Sequence, residues 1–100
     1  MAKTNLKSLV NKGKIVLIDF YADWCGPCQT LTPIISQVAK EYTGKINVLK
    51  INIDKNQPLA NKLSIRSIPT MVLYREGQQV WRHSGLLTKK ELESVLEQNI

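Results

Sequence analysis

One hundred residues suffice for a single domain with one core and little else. With 43% hydrophobic and 22% charged residues the balance is that of an ordinary globular chain, and no apolar run approaches the ~20 residues of a membrane span. The net charge of +6 raises nucleic acid as a partner, but the basic residues are scattered and Lys89-Lys90 is their longest run. A solvated basic surface is expected, with neither a nucleic-acid nor a membrane partner.

In chain order, Leu6, Leu9 and Val10 fall at helical spacing and predict a short first helix stopped near Gly13. Ile15 to Tyr21 is almost wholly apolar, the pattern of a strand covered on both faces. A helix follows, with Leu31, Ile34, Ile35, Val38 and Ala39 as its apolar stripe and Gly44 at its close. Ile46 to Ile53 predicts a second buried strand, and Pro58 to Leu63 a short helix with Pro in its first turn. Met71–Arg75 and Gln79–His83, joined through Glu76-Gly77-Gln78, read as a hairpin. Thr88-Lys89-Lys90-Glu91 is a capping box opening the last helix, whose apolar face is Leu92, Val95 and Leu96. The order α, β, α, β, α, β, β, α predicts an α/β domain with a mixed sheet and helices on both faces.

Both cysteines lie in Trp24-Cys25-Gly26-Pro27-Cys28, where a strand gives way to a helix. Thiols three positions apart there are close enough to form and break a disulfide. At a helix start the free N–H groups and the macrodipole favour an anion, so Cys25 is expected to be exposed and to ionise readily. One C-x-x-C is the wrong pattern for a disulfide-stapled scaffold and a poor zinc site, since His83 is the sole further ligand candidate; no metal is expected. The chain reads as a dithiol–disulfide redox protein.

Asp19, a carboxylate among Val16, Leu17, Ile18 and Phe20, is expected to be costly to ionise and to have a raised pKa. The competing reading turns it to solvent at the strand end. Lys50 can be read as a snorkelling surface lysine. Trp24 can be read as a packing residue and Pro69 as an ordinary turn proline. His83 reads as a surface or edge residue and not a catalytic base, and Trp81 as a packing residue.

The run Asp19-Phe20-Tyr21-Ala22, the Trp24–Cys28 segment, Pro33, Lys50-Ile51-Asn52-Ile53-Asp54, Ile65-Arg66-Ser67-Ile68-Pro69-Thr70, Gly77 and Gly85 together resemble the thioredoxin family. The resemblance covers nearly the whole chain as one domain, 1–100, and implies a thioredoxin fold with a mixed four- to five-stranded sheet. It implies a general protein disulfide reductase in which Cys25 attacks, Cys28 resolves, and Asp19, with Lys50 nearby, assists deprotonation of Cys28. A cis Ile68–Pro69 bond packed against the cysteines is implied too, with Trp24, Gly26, Pro27, Ile68, Pro69, Gly85 and Leu86 as the docking surface. No cofactor is implied beyond the Cys25–Cys28 disulfide. Implied partners are a thioredoxin reductase and targets such as ribonucleotide reductase, peroxiredoxins and methionine sulfoxide reductases.

The segment Met1 to Lys7 has the charge of a signal peptide's start but no apolar core behind it, so a cytoplasmic monomer is expected. The alternatives are an extracytoplasmic reductant or oxidase of the same fold and a thiol-independent binding subunit. Three positions depart from the family pattern. Residues 1–5 hardly suffice for an N-terminal strand, Gln29 stands where Lys or Arg is frequent, and Ser84 where an apolar residue is usual.

Overall fold

Strand β1 (Ile15–Tyr21) is the axis of the molecule because its sequence leaves no polar face: six of its seven residues are buried. The computed structural model describes residues 5–100. Around β1 the chain forms α1 (Leu6–Val10), α2 (Gly26–Glu41), β2 (Asn47–Asn52), α3 (Gln57–Lys62), β3 (Thr70–Arg75), β4 (Gln78–Ser84) and α4 (Lys89–Glu97). The sheet order is β2-β1-β3-β4; β2 is parallel to β1, and the β3–β4 hairpin supplies the antiparallel part. The expected fifth strand falls largely on residues 1–4, outside the described residues.

Alternation along β1 divides the core in two. Ile15 and Leu17 face α2 and α4, packing with Leu31, Ile35, Val38, Leu92 and Leu96. Val16, Ile18 and Phe20 face the other way, onto Val10 of α1 and Leu59 of α3. Helices therefore cover both faces, as the sequence predicts. β2 is a correction. Its residues are mostly half-buried and Lys50 is exposed, because among the described residues it has a strand neighbour on one side only. Its apolar residues lie against the core while its outer edge meets solvent.

The hairpin turn is tighter than expected. Glu76 and Gly77 both have positive φ, 52° and 82°, the geometry of a two-residue type I′ turn, so Gln78 already belongs to β4. At α4 both halves of the capping box form: the Glu91 amide donates to Thr88 Oγ1 and the Thr88 amide to Glu91 Oε1, each at 3.0 Å. Thr88→Ala removes one of these bonds and is expected to cost about 1 kcal/mol, read as a lower urea midpoint with an unchanged m-value. An unchanged midpoint would show that α4 is held by packing alone.

Candidate active site

The end of β1 and the start of α2 place the two sulfurs. Cys25 is the N-cap of α2 in an extended conformation, and its Sγ accepts from the Cys28 amide at 3.1 Å. Pro27 sits in the first turn, where its missing N–H costs nothing. Cys25 and Cys28 are joined as a disulfide with Cα atoms 5.3 Å apart. The expected exposure of Cys25 is corrected: it is 4% exposed and Cys28 3%. Both pack with Ala22 under the partly buried Tyr21, Ile53 and Ile68, so a target sulfur has only a narrow approach.

The residues around this point separate into a buried group and a surface group. Asp19 is 1% exposed, and its Oδ1 has no hydrogen-bond partner. Burial pushes its carboxyl up from 3.8 to about 6, with the Lys50 charge pulling the other way. The solvent-turned reading of Asp19 is thereby excluded. Alternation puts Asp19 on the same face as Leu17 and Tyr21, the α2 side, and the parallel register sets Lys50 beside it. The Lys50 ammonium makes no ion pair with Asp19. It lies 4.7 Å from the centre of the Tyr21 ring and 3.5 Å from Thr32 Oγ1. With Tyr21, Ala22, Asp23, Cys28 and Gln29, Lys50 and Thr32 line a cleft of about 350 Å³ that reaches the second cysteine.

Above the disulfide the surface is apolar and open. Trp24 is 69% exposed and Leu86 49%, which removes the packing reading for Trp24. Gly26 and Pro27 are exposed, Gly85 and Ile68 half-buried, and Pro69 buried. The Ile68–Pro69 peptide is cis. Gly85 has φ +96°, a conformation side chains disfavour, and its amide donates to the Pro69 carbonyl at 2.8 Å. Neither the amide nor the carbonyl of Ile68 pairs with another described residue. His83 is half-buried and stacks on Trp81 with ring centres 5.8 Å apart, and its Nε2 lies 3.2 Å from the Leu86 carbonyl.

Sequence reasoning missed one member of this surface. Trp24 Nε1 donates to Asp54 Oδ2 at 2.8 Å, which fixes the exposed indole. An exposed indole beside a reactive site needs a partner for its N–H, and that requirement was the available signal.

The comparisons with known proteins converge on one family. The Thioredoxin family profile matches residues 1–98. The chain belongs to the thioredoxin family. A thioredoxin of Rickettsia felis is 44% identical over 94 residues, covering 94% of this chain and 90% of that protein. Thioredoxin 1 of a Nostoc species is 42% identical over 85 residues, covering 85% and 79%. Among solved structures, a mutant thioredoxin from Halobacterium salinarum superposes with a TM-score of 0.88 at 39% identity, covering 98% of this chain and 85% of that one. A chain from a study of thiol resolution in a yeast mitochondrial 1-Cys peroxiredoxin via the glutathione/thioredoxin systems gives 0.83 at 26%, covering 92% and 85%. Like other thioredoxins, this one is a protein-disulfide oxidoreductase with a redox-active cysteine pair, and it acts as a general reductant of protein disulfides.

Proposed function

We propose that the reduction runs through two exchanges, with Cys25 as the attacking sulfur and Cys28 as the resolving one. The observation that carries this division is the placement of Cys25 Sγ at the N-cap, 3.1 Å from the Cys28 amide. In the reduced chain that donor and the positive end of α2 favour a thiolate at Cys25. The thiolate attacks a target disulfide, one target sulfur leaves as thiolate, and a mixed disulfide forms. Cys28 then attacks Cys25 Sγ, the second target thiolate leaves, and the Cys25–Cys28 bond returns. Two electrons have passed to the target, and a thioredoxin reductase restores them.

Asp19 takes the Cys28 proton on the way to the second exchange. Burial raises the Asp19 carboxyl to about 6, so at neutral pH it is largely an acceptor, and it exchanges its proton more readily than an ordinary carboxylate would. Lys50 acts on Asp19 through charge across the cleft. Trp24, Gly26, Pro27, Ile68, Pro69, Gly85 and Leu86 receive an extended segment beside the target disulfide. Its backbone pairs with the unpartnered N–H and C=O of Ile68. No cofactor beyond the disulfide takes part in this scheme. Ribonucleotide reductase, peroxiredoxins and methionine sulfoxide reductases are the target classes. Peroxiredoxin draws support from the yeast system in which one structural relative was studied. A monomer in the cytoplasm fits a chain whose two cysteines form one redox-active pair and no disulfide scaffold.

The deciding experiment equilibrates the protein with thiol–disulfide buffers and follows Trp24 fluorescence to obtain the reduction potential. A value below about −200 mV is expected of a reductant. A value above about −200 mV would replace this reading with an oxidase or isomerase working outside the cytoplasm.

A further inference from the structure

Segment 64–69, which carries Ile68, belongs to no helix or strand. No ladder of backbone bonds sets its shape, so its tethers do. One of them is the Arg82 side chain of β4, and another is the Thr70 hydroxyl of β3, itself hydrogen-bonded by Ser84 of β4. Arg82 donates through Nη1 to the Leu63 carbonyl and through Nη2 to the Ser64 carbonyl, at 2.5 and 2.8 Å. These carbonyls lie at the end of α3, where Ser64 takes φ +53° in place of a closing glycine. At the other end Thr70 Oγ1 donates to the Ser67 carbonyl at 2.7 Å and lies 2.9 Å from Ser84 Oγ. A hydroxyl has one proton. Since Thr70 gives its own to Ser67, Ser84 must be the donor to Thr70.

Arg82 and Ser84 are two residues apart and so share one face of β4. Ser84 is exposed at the end of β4, and an apolar side chain there could not make this bond. We propose that Arg82 and Ser84 are positioning residues that clamp the two ends of segment 64–70 and hold Ile68 in register for an extended polypeptide target. This inference rests on the reading that Ile68 receives the target backbone. The pair touches neither sulfur and takes no part in electron transfer.

The clamp therefore acts on large substrates and not on small ones. The test compares Ser84→Ala, Arg82→Met and Ser84→Thr with the parent on two disulfides, insulin and the small aromatic disulfide dithiobis(nitrobenzoate). The first two variants are expected to lower kcat/KM for insulin about fivefold each, through KM, the factor one net hydrogen bond corresponds to. Their rates on the small disulfide and their reduction potentials should stay at the parent values, and Ser84→Thr should restore insulin reduction. Equal losses on both substrates, or none on insulin, would overturn the clamp. Ile68→Asp separates the two ideas, since a charge at the docking point should slow insulin strongly, whatever it does to the small disulfide through its contact with the cysteines. If Ile68→Asp does so while Ser84→Ala and Arg82→Met do not, the clamp fails and the docking reading stands. If Ile68→Asp also leaves insulin unaffected, the docking reading itself falls and the clamp with it.

Discussion

Cys25→Ser is expected to abolish insulin reduction, by at least about a thousandfold, because no second sulfur can reach the target first. Cys28→Ser should fail differently. Its Cys25 still attacks, but nothing displaces the target from Cys25 Sγ, so the reaction stops at a covalent adduct. Mass spectrometry of a mixture with a disulfide-bearing target should show the adduct for Cys28→Ser and none for Cys25→Ser, and dithiothreitol should release it. The geometry makes the asymmetry: Cys25 caps the helix and has the Cys28 amide as donor, whereas Cys28 lies a turn inside and lines the cleft with Lys50 and Thr32. Turnover by Cys28→Ser at the parent rate would remove the two-step scheme.

The second large effect is on stability. Asp19 holds its proton up to about pH 6 in the folded chain, against 3.8 for an unburied carboxyl. Below about pH 4 both folded and unfolded chains are largely protonated there, and ionisation of the group costs nothing. As pH rises from about 4 to 6 the unfolded chain releases its proton first, so stability falls, and above pH 6 the full cost of about 3 kcal/mol applies. Asp19→Ala removes that cost and leaves a small cavity worth about 1 kcal/mol. The variant should be more stable than the parent by about 2 kcal/mol at pH 8 and slightly less stable at pH 4. Urea unfolding of the oxidised proteins at pH 4, 6 and 8 checks this. Parallel pH profiles for the two proteins would show that Asp19 is not the group responsible. The same variant should slow release of the mixed disulfide near neutral pH, since Cys28 loses its proton acceptor.

Asp19 also shows what kind of information the sequence carries. A charged residue in the run Ile15 to Tyr21 is a local anomaly, and burial of that run follows from its composition, so a raised pKa is legible in the sequence alone. The capping box at Thr88 and Glu91 is legible for the same reason, because both partners lie within one turn. Cys25 is harder. Its position at the helix start is written in Gly26 and Pro27, but its cover comes from Ile53 and Ile68, residues 28 and 43 positions away. Burial of this kind depends on tertiary placement, and no window of sequence contains it. β2 misleads for a related reason: a run such as Ile46 to Ile53, with its apolar majority, looks alike whether a strand has neighbours on one side or both. The Trp24–Asp54 and Arg82–Ser64 bonds likewise join residues 30 and 18 positions apart. What the fold adds to the motif is this set of distant tethers.

β1 has a strand on each side and helices over both faces, whereas β4, among the described residues, has a strand on one side and an exposed outer edge. Native proteins open in parts, and edges open before centres. The amides of residues 16–20 therefore exchange with solvent only when the whole domain unfolds, and those of β4 exchange through local fraying. Asp19 lies in the segment that opens last; Arg82 and Ser84 lie in one that breathes. A dithiol centre that follows directly on the most protected strand stays at fixed geometry, while the loop that meets each new target hangs from the more pliable edge.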